Sequence, residues 1–186
     1  MERIIFDNAK ISDLPWIASC MEANLFDNLT EHTQWRLYYE ISEDELRTCV
    51  SNQNNIFICA RAWEKVLGYT LWYDVKEWMK KKETRLDDLQ ISEDYKEKIQ
   101  HASVLYARHI AIDPAHHHKG IGKLLAKKAF DEAQQRWYTD IVWEIMLSPM
   151  KNTRSIYVHQ KAWFETIGEI SYPDGTIWQV IWKNLK

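Results

Sequence analysis

The chain has 186 residues, is 46% hydrophobic and 27% charged, and carries a net charge of −3. That length supports one sizeable core, and the mix is that of a globular domain rather than a disordered chain. The near-neutral balance gives no reason to expect nucleic acid or an anionic membrane as partner, and no apolar run reaches the roughly 18 residues at which a spanning helix is expected.

Cys20, Cys49 and Cys59 are dispersed and form no CxxC pair. Such a set suits reduced thiols in a cytoplasmic compartment. The opening MERIIFDNAK lacks the shape of a secretory signal. Ten tryptophans admit an aromatic core, an aromatic pocket or a sticky interface.

In chain order, Ile4 to Phe6 reads as a first strand. Ser12 as cap and Pro15 in the first turn start a helix from about Asp13 to Asn24. Asn28 to Tyr39 is polar and aromatic without a clear period. Ser42 and Glu45 form a capping box for a helix through Val50, and the tetrapeptide ISED recurs at 91–94 as a second helix start. Asn55–Trp63 and Val66–Val75 read as a hairpin, with Gly68 marking a bulge or a close backbone approach. Residues 76–102 form a charge-rich, helical excursion: a packed surface segment or a lid. Lys80, Lys81 and Lys82 are its solvated face.

The segment from Val104 to Trp137 organises the rest. An apolar β-prone run ends at Asp113-Pro114, a polar loop with Gly120 and Gly122 follows, and Ile121, Leu125, Ala129 and Ala133 then recur at helical spacing. A helix start exposes unpaired N–H groups and a partial positive charge, and glycines let an anion approach the chain itself. Lys119, Lys123 and Lys127, four apart, line one helical face. Ile141–Leu147 is another strand, Asn152–Thr166 a helix, Tyr172-Pro173-Asp174-Gly175 a turn, and Ile177–Trp182 a closing strand. No linker divides the chain, so residues 1–186 are expected to form one domain.

The loop is neither GxxxxGK[ST] nor GxGxxG. His117-His118-Lys119-Gly120-Ile121-Gly122 resembles the acyl-CoA loop of the GCN5-related N-acetyltransferase (GNAT) superfamily, with His117 where Gln or Arg is usual. A second frame agrees. Asn152, Ser155-Ile156 and His159-Gln160-Lys161-Ala162-Trp163-Phe164 are similar to the family's late helix, with His159 in place of Tyr and Trp163 in place of Gly.

The resemblance implies an α/β, three-layer GNAT fold, with helices on both faces of a mixed, mostly antiparallel sheet of six to seven strands. It implies transfer of an acyl group, acetyl by preference, from acetyl-CoA to a primary amine on a small molecule or a protein. Ile110, Ala111 and Ile112 would pair with the pantetheine arm. His117, His118, Lys119, Gly120, Ile121, Gly122 and Lys123 would hold the diphosphate, with Asn152 also placed at the cofactor. His159 stands where the family's Tyr protonates the leaving thiolate. The strand before the loop carries no Glu, which leaves His109, Glu144 or a water relay as base.

Trp72, Tyr73 and Trp78 are candidates for an aromatic acceptor pocket, or for core. Adjacent histidines at 116–118 point in different directions, so no metal is expected. A non-catalytic acyl-CoA sensor on the same fold is the competing reading. Monomer and homodimer both stay open.

Overall fold

The structure, a computed structural model, describes residues 3–25, 37, 40–81 and 86–186. Most of the aperiodic stretch from Asn28 to Tyr39, and Lys82 of the lysine run, lie outside the described residues. The elements are β1 (Ile5–Asn8), α1 (Leu14–Glu22), α2 (Glu43–Ser51), β2 (Ile56–Ala62), β3 (Lys65–Asp74), α3 (Val75–Lys81), β4 (Gln90–Ile91), α4 (Glu93–His101), β5 (Val104–Ile112), α5 (Ile121–Gln135), β6 (Asp140–Ser148), α6 (Thr153–Lys161), β7 (Glu165–Ser171) and β8 (Ile177–Asn184).

The strands pair in the order β1-β2-β3-β5-β6-β8-β7-β4. β5 and β6 run parallel, whereas β1–β2, β2–β3, β4–β7, β6–β8 and β7–β8 are antiparallel. The α/β class and the mixed, mostly antiparallel sheet are those expected, but among the described residues the sheet has eight strands rather than six or seven. One strand that the sequence hid is β4, inside the excursion. It is two residues long, too short to show a period of two. It docks where Gly168 lies opposite Ile91, and a Cβ at Gly168 would collide with the carbonyl of Gln90.

The chain divides into two compact units, Met1–Trp72 with His109–Glu132, and Tyr73–Arg108 with Ala133–Lys186. In the first, Ser42 Oγ accepts from Glu45 N at 3.2 Å and caps α2, as the capping box predicts. Arg61 and Asp13, both buried, pair at 2.8 Å. Register slips between Ala60 and Arg61 opposite Gly68. A Cβ at Gly68 would lie 2.6 Å from Ile112 Cδ1 and 2.8 Å from the Ala111 carbonyl. Both readings of Gly68 therefore hold, because the bulge and the close approach occur together. Cys20, Cys49 and Cys59 are all buried.

In the second unit, Trp182 is buried and its Nε1 donates to Asp140 Oδ1 at 3.0 Å. Helix α6 is shorter than predicted and ends at Lys161. Trp163 takes φ 62°, its N–H donates to Gln160 O at 3.1 Å, and Phe164 N–H reaches back to His159 O at 3.0 Å. That is a Schellman termination, in which the left-handed position normally belongs to glycine. Helix α5 ends the same way: Trp137 has φ 63°, with Trp137 N to Gln134 O and Tyr138 N to Ala133 O both at 3.1 Å. A side chain in this conformation costs about 1–2 kcal/mol. Trp137 and Trp163 are each 86% exposed, so packing of the indole does not offset that cost.

Candidate active site

In the first unit the loop hangs from the end of β5. Asp113 is fixed on three sides: its carboxylate accepts from Ala115 N at 3.0 Å and pairs with Lys65 at 2.8 Å, while its own N–H donates to Leu67 O at 2.8 Å. The carbonyl of Ile112 receives Asn24 Nδ2 at 3.0 Å and faces His117 Nε2 at 2.9 Å. The His117 ring is thus turned back onto the strand end. Ala111 and Ile121 are buried, and His118, Lys119, Gly120 and Lys123 are exposed.

Gly120 adopts φ 78°, and a Cβ built there meets no atom within 4 Å. The first helical bond of α5 runs from Leu124 N to Gly120 O at 3.2 Å. The amides of Ile121, Gly122 and Lys123 therefore precede any intrahelical acceptor. The lysine stripe is partly neutralised, because Lys127 pairs with Asp131 at 2.7 Å.

The β5–β6 ladder pairs Val104 with Asp140 through Ala107 with Trp143 and goes no further. Yet β5 runs on to Ile112 and β6 to Ser148. Within the second unit the ladder ends at Ala107 and Trp143. The sequence could pose that break but not locate it.

Just past the break, in the second unit, stands Glu144. It is 7% exposed, and each carboxylate oxygen accepts a phenol: Tyr106 Oη at 2.8 Å and Tyr172 Oη at 2.7 Å. Burial, then the Glu144 charge, pushes Tyr106 well above the usual phenol range, so it stays a donor. Trp78 stacks on Tyr106 with centroids 4.8 Å apart, and Tyr73 lies 5.6 Å from the same ring. Tyr106 and Tyr172 were not singled out by sequence. Alternation along β5 puts Tyr106 on one face with Arg108, but the β6 and β7 partners need the register.

Of the three aromatic acceptor candidates, Trp72 packs in the first unit against Phe130 at 5.2 Å. Tyr73 and Trp78 belong to the second. All three are buried. His109, in the first unit, is 5% exposed, and its Nδ1 lies 3.2 Å from Tyr69 Oη.

Asn152 caps α6, its Oδ1 accepting from Ser155 N at 3.0 Å. His159 is 7% exposed, edge-on to Trp143 at 4.3 Å and Phe164 at 5.1 Å. Burial pulls its pKa down to about 4, so near neutral pH the ring is uncharged. With Nδ1 donating to Ser155 O at 2.7 Å, Nε2 holds a lone pair and not a proton. Among the described residues no cluster of His, Cys, Asp or Glu is arranged to hold a metal, and no helix is long and apolar enough to cross a membrane.

The sequence model of the Acetyltransferase (GNAT) family matches residues 23–163. The chain belongs to the GNAT acetyltransferase family. Solved structures share the GNAT fold at low identity. An N-acetyltransferase from Staphylococcus aureus Mu50 has TM-score 0.66 and 20% identity over 99% of each chain. YncA from Salmonella typhimurium, solved with its cofactor acetyl-CoA, has TM-score 0.65 and 16% identity over 99% of this chain and 95% of that one. An aminoglycoside 6'-N-acetyltransferase complexed with coenzyme A has TM-score 0.66 and 9% identity over 98% and 97%. No curated protein sequence matches the chain. His159, which the sequence resemblance sets against the family's Tyr, is buried with its pKa lowered, and Trp163, set against Gly, has a left-handed backbone.

Proposed function

We propose that the chain is an acyl-CoA-dependent N-acetyltransferase, working as one domain in the cytoplasm, which passes acetyl from acetyl-CoA to a primary amine by direct attack in a ternary complex. The carrying observation is the loop. The amides of Ile121, Gly122 and Lys123 lead α5, beside a glycine whose surroundings hold no atom within 4 Å of a Cβ. Such a cradle suits the diphosphate of coenzyme A, contacted through backbone N–H groups and not through the His117 ring. The run of β5 from Ile110 to Ile112, which follows the last residue laddered to β6, suits the amide-bearing pantetheine arm. When bound, the cosubstrate supplies the activated thioester.

Glu144 is assigned as the base. Its support is position: it follows Trp143, the last β6 residue paired with β5, and as base it takes the ammonium proton directly or by one water. His109 faces Tyr69 at 3.2 Å, which makes it the weaker candidate. His159, uncharged, does not protonate the thiolate. The thiolate leaves unaided, which a thiol of pKa about 8.5 permits. The departures at His117, His159 and Trp163 also support the sensor reading, in which acetyl-CoA binds without turnover.

Calorimetry with acetyl-CoA, followed by a thiol-release assay against small amines, peptide N-termini and lysine side chains, tests both. Binding with release supports the enzyme. Binding with no release from any acceptor supports the sensor, and absence of binding removes both.

A further inference from the structure

The two helix terminations that carry Trp137 and Trp163 lie together in the second unit. β8 pairs with β6 on one side and β7 on the other. Leu185 N donates to Thr139 O at 2.9 Å, and Lys183 Nζ donates to Ala162 O at 2.7 Å. The α5–β6 turn and the α6–β7 turn therefore flank the end of β8. Each presents an indole that is 86% exposed, held in a backbone conformation that glycine would adopt without strain. A bulky apolar group kept at such a position, without packing, marks a surface that something else covers.

Cations outnumber acids around the pair. Arg136 precedes one tryptophan, Lys161 lies two residues before the other, and Lys183 sits between the turns. Asp140, three residues past Trp137, is buried and accepts Trp182 Nε1 and Asn184 Nδ2, while the whole chain is net acidic at −3. Glu165, two residues past Trp163, accepts Tyr95 Oη at 2.6 Å. A weak bulk charge thus hides a local basic, indole-tipped edge.

We infer that this edge docks on an anionic phospholipid surface. Indole rings settle at headgroup depth, and Arg and Lys beside them meet lipid phosphates. Two projecting tips on either side of one strand end suit a flat partner. The contact is peripheral, with the indoles reaching only the interface. This inference does not rest on the acetyltransferase reading.

The test is co-sedimentation of the full chain with phosphatidylcholine vesicles, and with vesicles containing about one-third phosphatidylglycerol. Trp137→Gly and Trp163→Gly are the informative variants, because glycine relieves the left-handed positions and the fold survives. Wild type should pellet with the anionic vesicles and not the neutral ones, and less so at high salt. The double glycine variant should bind at least about tenfold more weakly, with a melting temperature unchanged or raised. The inference is overturned if wild type ignores both vesicles, or if the double variant binds as well as wild type. Preference for a homopolymer RNA over vesicles also overturns it. So does a dimer in size-exclusion that the glycine substitutions dissolve while vesicles stay unbound.

Discussion

Tyr106 donates a 2.8 Å hydrogen bond to Glu144 one step beyond the point where β5 and β6 stop pairing. The phenol keeps its proton, since burial and the neighbouring carboxylate both oppose its loss. Tyr106→Phe should therefore lower kcat/KM by about tenfold and leave acetyl-CoA affinity alone. Glu144→Gln should lower it by about 10²–10³, the range for a lost general base. Steady-state kinetics beside calorimetry separates the two effects. Equal losses in binding and turnover would remove Glu144 from the reaction.

The two loop glycines should behave differently. At Gly122 a Cβ meets Ile112 at 3.7 Å, an ordinary contact, whereas Gly120 has φ 78°. Gly122→Glu should leave the melting temperature unchanged and weaken acetyl-CoA by at least about 30-fold, because a carboxylate then stands in the cradle proposed for the diphosphate. Gly120→Ala should instead cost about 1 kcal/mol of stability from the backbone alone. Calorimetry and thermal melts read both.

His159 makes folding sensitive to acid. Its pKa falls from 6.5 to about 4 on folding, so between those values the unfolded chain binds the extra proton. The stabilisation is complete above about pH 6.5 and is lost as pH falls towards 4. At pH 5 the loss is on the order of 2 kcal/mol. His159→Phe should flatten that part of the profile in urea melts across pH. A profile identical to wild type would show the ring to be charged or exposed.

Gly168→Val should displace β4. Its Cβ would run into the Gln90 carbonyl and lie 2.7 Å from Ile91 Cγ2, so the edge pairing cannot persist. A loss of about 2–3 kcal/mol is expected, with hydrogen exchange accelerating first at Gln90 and Ile91. Retained protection there would mean that β7 shifts to make room.

The elements that could be read in advance were those whose period and punctuation agree. β5, the Asp113-Pro114 stop, the glycine loop and α5 follow one another with no conflicting signal, and Ser42 announces α2. β4 escaped because two residues show no alternation. The end of α6 was misplaced because the stop signal is normally glycine, and here the left-handed residue is Trp163. Glu144 could be named as a candidate, but its partners Tyr106 and Tyr172 sit 38 and 28 residues away. Only strand register brings them to one carboxylate. The pKa of His159 was equally invisible, because it depends on Trp143 and Phe164 closing over the ring.

The burial of Cys20, Cys49 and Cys59 has a practical side. Desolvation pushes Cys20 up to about 12 and Cys59 higher still, so at neutral pH neither offers a thiolate to an aromatic disulfide reagent. The native protein should give a flat blank with such a dye until it unfolds. Colour that develops on mixing with donor and acceptor then counts liberated coenzyme directly, down to a single turnover, with no cysteine-free variant needed.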